Sequence, residues 1–281
     1  GLGDVYKRQD IERQEFARRV GKNGDRILME YFDDIGLANK TNNEINDLIN
    51  RLRICGVDIK KVFSECGRDS TLKTRVDRNQ TIAIVFRFFR ELGIDVSKLL
   101  EEGKYNNERE QAVYLSFNKG VKRNETTSPT FAGEDVHAYA KETGTLTDVY
   151  SLVHEISHTL YVQNQFGEAR MILGEVIPQC MERMLDGYLI ELDGRKGFDV
   201  DIDTLKENII KRRISTAIDR FRMASRIAKG EYKFASEKAE FSRYMLAQIY
   251  ATKLMEMDKS LQKQRIFDFI EALKSNDIKK A

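Results

Sequence analysis

Apolar positions recur at helical spacing over most of the chain and alternate only in a short middle stretch. Ile27, Leu28, Tyr31 and Phe32 form a one-turn patch. Thr41 and Glu44 have the form of a capping box, followed by Ile45, Leu48, Ile49 and Leu52 on one helical face, and Gly56 and Gly67 fall where helices close. Ile82 to Phe86 is β-branched enough for a strand, but Phe88, Phe89 and Leu92 before Gly93 extend the pattern into a buried helix. Residues 103–111 turn polar and read as a linker. Ala112–Phe117 and Val136–Ala140 then read as strands, with Asn118-Lys119-Gly120 as a turn. Val149, Leu152, Val153, Ile156 and Leu160 define the apolar stripe of a further helix, and amphipathic helices are expected over 205–228, 235–257 and 261–273. The expected fold class is mainly α, a helical bundle around the helix that carries this stripe, with a small sheet beside it.

Composition narrows the partners. The chain has 281 residues, 41% hydrophobic and 33% charged, with a formal net charge of +2. That balance suits a soluble protein and gives neither a nucleic-acid footprint nor a membrane-surface patch. No run of 18 apolar residues is present, so no membrane-spanning helix is expected. Cys55, Cys66 and Cys180 are odd in number and lack metal-type spacing, which points to reduced thiols in the cytoplasm, with Cys180 a buried structural thiol. Residues 1–9 are read as an adaptor or assembly scar on account of Asp4–Gln9, DVYKRQ, and set apart from the fold. Residues 10–104 are expected to be a helical region, and 105–281 the catalytic region of the same continuous domain.

The chemistry concentrates on the striped helix. His154-Glu155-Ile156-Ser157-His158 has the H-E-x-x-H spacing, which puts two imidazoles on one helical face and a carboxylate beside the first. Two histidines and a carboxylate make an open zinc site, and Glu155 is the expected general base for an attacking water. Glu168, Glu175 and Glu182 follow at seven-residue intervals as candidates for the third ligand. Glu175 is favoured, because a turn at Gln165-Phe166-Gly167 can return a second helix past the first and Pro178 forces that helix to begin or kink near it. Gln179 and Glu182, one and two turns further, are placed for outer contacts to the histidines. His137 is the one other histidine and is read as a polar residue of its strand. An exposed edge of the 136–140 strand is expected to pair with extended substrate.

The stretch GTLTDVYSLVHEISH resembles the G-T-L-x-D-V-x-x-L-x-H-E-x-G-H segment of the oligoendopeptidase F and thimet oligopeptidase family of zinc peptidases. Glu175-Val176 with Gln179 and Glu182 is similar to that family's E-V-x-x-Q/T-x-x-E helix, whose first glutamate is a zinc ligand. The resemblance implies a zincin-like fold, one Zn2+ on His154, His158 and Glu175, and cytoplasmic cleavage of oligopeptides. Phe241–Ala247 looks like the family's late tyrosine helix, which makes Tyr244 the implied oxyanion donor; the rival reading makes Tyr244 and Tyr250 core tyrosines. Ser157 stands where the family has glycine, Tyr161 replaces a frequent histidine, and the gap to Glu175 is short. The chain is also shorter than the family's catalytic domain, as a compact or N-terminally truncated member. Two alternatives accompany this reading: a catalytically inactive helical peptide-binding relative, and a zinc hydrolase of a non-peptide amide.

Overall fold

The computed structural model describes residues 74–96, 104–106, 112–119, 126–129, 136–161, 173–192, 204–206, 208, 209, 212, 244, 247, 250, 251, 254 and 257–275. The chain divides into two compact units, and the second, residues 71–165, 177–210 and 251–281, holds nearly all of these. Of the first unit only 173–176, 212, 244, 247 and 250 are described. The patch at Ile27–Phe32, the Thr41 box, Gly56, Gly67, Cys55, Cys66, the Gln165–Gly167 turn and Glu168 lie outside the described residues.

The described part is mainly helical with one small mixed sheet. Helix α1, Arg78–Glu91, covers the stretch whose β-branched start could have suggested a strand. Asp77 caps it: its side chain accepts from Gln80 N at 2.9 Å while Gln80 Oε1 accepts from Asp77 N at 3.1 Å. This Asp-x-x-Gln box was not among the expected caps, although the same rule covers it. At the other end Gly93 N donates to Arg90 O and Ile94 N to Phe89 O, both at 2.9 Å, with Gly93 at φ +80°. That is a Schellman closure, which only glycine enters without strain. Ile84, Val85, Phe88 and Phe89 form the buried face.

The sheet has the order β1-β2-β4-β3, with β1 Lys104–Asn106, β2 Ala112–Asn118, β3 Thr126–Pro129 and β4 Val136–Lys141. β2 and β4, the two expected strands, pair in parallel; β1 on β2 and β3 on β4 are antiparallel. Two corrections follow. The polar stretch 103–111 is not all linker, because Lys104–Asn106 pairs with β2 despite its composition. Nor does the 136–140 strand have an exposed edge, since it is bonded to β2 on one side and β3 on the other. Its alternating pattern marked a strand but carried no information on which neighbours would cover it. Arg78 ties α1 to the sheet, donating to Phe117 O at 2.5 Å and to Glu142 Oε2 at 2.9 Å, with its guanidinium 4.9 Å from the Phe117 ring centroid.

Helix α2, Thr147–Thr159, follows β4 through a tight turn and packs against both β4 and α1. Val149, Leu152, Val153 and Ile156 are completely buried, as the stripe predicts, and Leu160 is half-buried just past the helix end. Helix α3, Val176–Glu191, starts after a turn at Gly174-Glu175. Pro178 sits in its first turn, where a missing N–H has no intrahelical bond to lose. The division between the two units falls at Val176–Ile177, inside this one helix. Phe88 of α1 meets Tyr188 of α3 edge-on, with centroids 5.5 Å apart. Helix α4, Lys259–Lys274, buries Gln262, Ile266, Ile270 and Leu273, one position per turn, inside the expected 261–273 segment.

Candidate metal centre

Placement of the site begins at the turn into α2. Gly144, at φ +75°, reverses the chain after β4. Asp148, only 1% exposed, gathers that turn: it accepts from Thr143 N at 3.0 Å, Thr143 Oγ1 at 2.5 Å and Gly144 N at 2.8 Å. The same turn is stitched to the segment before α1, with Val76 N donating to Gly144 O at 3.2 Å and Leu146 N to Thr74 O at 2.8 Å. The GTLTD letters therefore fix where α2 begins, and with it the rotation of every side chain downstream.

Along the α2–α3 contact the polar pairs run in register. Tyr150 Oη donates to Asp186 Oδ1 at 2.6 Å, and four residues later His154 Nδ1 lies 2.6 Å from Glu182 Oε1, four residues earlier on α3. Equal and opposite steps define two antiparallel helices. Asp186 is fully buried, so the Tyr150 hydroxyl answers a carboxylate that water does not reach. One turn further along α2 stands His158, whose Nδ1 is 2.8 Å from Tyr161 Oη.

Both Nδ1 atoms thus point away from one another, and the two Nε2 atoms face each other at 3.2 Å. Ligand atoms of His154, His158 and Glu175 all lie within 4.8 Å of one another, so this group could hold a metal ion. The 3.2 Å separation is one a single ion bonded to each nitrogen at about 2.0–2.1 Å can bridge. The donor chemistry fits too: with Nδ1 engaged, each imidazole in its neutral form would offer an Nε2 lone pair, and a carboxylate only 4% exposed belongs to the same group.

The remaining expected residues are placed as follows. Glu155 is buried on α2 directly after His154. Gln179 is 5% exposed, and its amide oxygen and nitrogen have no hydrogen-bond partner among the described residues. It lies four residues after Glu175 and three before Glu182, on the same face of α3. Tyr244 is helical and half-buried. Ser157, at the position that departs from the family pattern, is completely buried, and its hydroxyl donates back to Val153 O at 2.5 Å. Cys180 is buried, and burial pushes its thiol up to about 12 against a smaller lowering by Arg183, which fits an inert structural thiol. Tyr161 and Asp148 are the contributors that sequence reading missed. The three-residue step from His158 to Tyr161 was the available signal for the first.

No family model matches the chain, and no curated protein does. Among solved structures it is similar to a crystal structure described as a "putative peptidase" from Chlamydophila abortus, with a TM-score of 0.48 and 12% identity. The match covers 85% of this chain and 49% of the other, so the chain spans about half the length of that protein. Among the described residues, no helix is long and apolar enough to cross a membrane.

Proposed function

We propose that this chain is a zinc-dependent metallopeptidase, a metalloendopeptidase that hydrolyses oligopeptides in the cytoplasm. The observation that carries the reading is the grouping of His154, His158 and Glu175 within 4.8 Å, with both histidines on a helix that bears Glu155 next to the first of them. The resemblance of residues 144–158 and 175–182 to the oligoendopeptidase F and thimet oligopeptidase family supports the same assignment.

In this reading His154, His158 and Glu175 hold one zinc ion, which when bound polarises the scissile carbonyl and acidifies the attacking water. Glu155 accepts the proton that the water gives up on attack and passes it to the departing amine. Glu182 keeps His154 in the tautomer that exposes Nε2. Tyr244 supplies a hydroxyl to the developing oxyanion. The Gln179 amide, buried without a partner among the described residues, offers its NH2 and its carbonyl oxygen to a bound peptide or water. With β4 covered on both sides, the strand left open beside it among the described strands is β3, which also packs against α2. An extended peptide pairs there through its backbone. Successive N–H groups of a strand alternate in direction, so one of Thr127→Pro and Ser128→Pro should raise KM, and an unchanged KM in both would remove β3 from substrate binding.

The test of the function as a whole is turnover of a mixed quenched-peptide library by wild type and Glu155→Gln, with zinc content measured on both. Zinc in both proteins and cleavage only in the wild type is the expected result. Zinc-loaded wild type that cleaves no peptide would overturn the peptidase assignment and favour the peptide-binding or non-peptide alternatives.

A further inference from the structure

The two histidines of the centre are supported differently. His154 Nδ1 meets the carboxylate of Glu182 at 2.6 Å, whereas His158 Nδ1 meets the phenol of Tyr161 at 2.8 Å. Tyr161 follows the end of α2 by two residues, and its ring is completely buried, with its centroid 6.0 Å from that of His158. A buried tyrosine with two side-chain torsions is a rigid anchor. We infer that Tyr161 is the positioning residue for His158: its phenolic oxygen accepts the Nδ1 proton, fixing the tautomer and ring plane that present Nε2 to the metal. The inference rests on the zinc reading given above.

The chemistry gives the pairing a direction. An imidazole that ligates through Nε2 carries its proton on Nδ1, so His158 donates and Tyr161 accepts. The phenol can accept while its own proton serves another bond. A carboxylate behind a ligating histidine makes the imidazole a stronger donor to the metal; a neutral phenol orients the ring without adding negative charge. The centre would then offer a bound ion one strongly and one moderately donating imidazole, leaving it more electrophilic than two carboxylate-backed histidines would.

The test is Tyr161→Phe, which removes the hydroxyl and keeps the ring. Zinc affinity, read by competition with a chromophoric chelator, should weaken by about 10–100-fold, with the melting curve of the metal-free variant recorded alongside. In zinc-loaded wild type the His158 Nδ1 proton should appear far downfield in the proton spectrum and show a nuclear Overhauser effect to the Tyr161 ring; in the variant it should move upfield. The wild-type cross-peak decides the matter even if the variant does not fold, because its absence would overturn the pairing. Zinc-binding wild type with equal affinity and an unshifted proton in the variant would overturn the role of Tyr161 alone. Wild type that binds no zinc would overturn the zinc reading, and this inference with it.

Discussion

Replacing Asp148 by alanine removes the group that fixes the start of the metal-bearing helix. The carboxylate accepts from three donors, Thr143 N, Thr143 Oγ1 and Gly144 N, at 3.0, 2.5 and 2.8 Å. Hydrogen bonds to a charged acceptor contribute about 1.5–3 kcal/mol each. The donors are only partly buried, so water recovers some of that loss. A net destabilisation of about 3–5 kcal/mol is expected for Asp148→Ala. Asp148→Asn keeps the shape but turns an amide N–H toward the backbone donors, and should cost about 1–3 kcal/mol. Urea unfolding of the zinc-free protein, followed by far-ultraviolet circular dichroism, measures both, with the slope of the transition expected to be unchanged. Zinc affinity should fall in both variants, because the helix start sets the directions of His154 and His158. If Asp148→Ala stays within about 0.5 kcal/mol of wild type, as an ordinary surface substitution would, the turn is held by something else.

Three further outcomes follow from the packing. Tyr150→Phe leaves the buried Asp186 carboxylate without its 2.6 Å donor and should cost about 1–3 kcal/mol in the same unfolding assay; a neutral substitution would mean that the α2–α3 register does not depend on the pair. Gln179→Leu should melt at or above the wild-type temperature while peptide turnover falls, since it removes two buried polar atoms that have no partner among the described residues; clear destabilisation would show that the amide serves the fold. Cys180, with its thiol pushed up to about 12, should stay unalkylated at pH 8 in the folded protein and react only on unfolding, as mapped by mass spectrometry. Both states keep that proton below pH 9, so it has no effect there. Above pH 9 the unfolded thiol ionises first, and folding should weaken by roughly tenfold per pH unit until the folded value is reached. Alkylation of folded Cys180 at pH 8 would show that the thiol is not enclosed.

The hydrophobic period made the fold legible where burial is one-sided. The α2 stripe and the Phe88–Phe89 continuation of α1 each marked a buried face, and those residues are buried except Leu160, which is half-buried past the helix end. Local pattern said less about what lies beside what. The β4 residues alternate whether the strand is at an edge or between two neighbours, and its interior place comes from β3, whose Thr-Thr-Ser-Pro sequence has no apolar alternation. Likewise Lys104–Asn106 is polar, and its strand pairing is supplied by β2. At the centre, helical spacing alone was enough to bring His154, His158, Glu175 and Glu182 into consideration. Tyr161 stood out in the sequence as a departure from a family pattern and as three residues from His158, but its contact to His158 depends on how the chain leaves α2.

The most direct measurement is anomalous diffraction at the zinc edge from the full chain crystallised with one equivalent of zinc. A single peak bounded by His154 Nε2, His158 Nε2 and the Glu175 carboxylate is expected, lost in His158→Ala. A peak on other residues, or none at equimolar zinc, would contradict it.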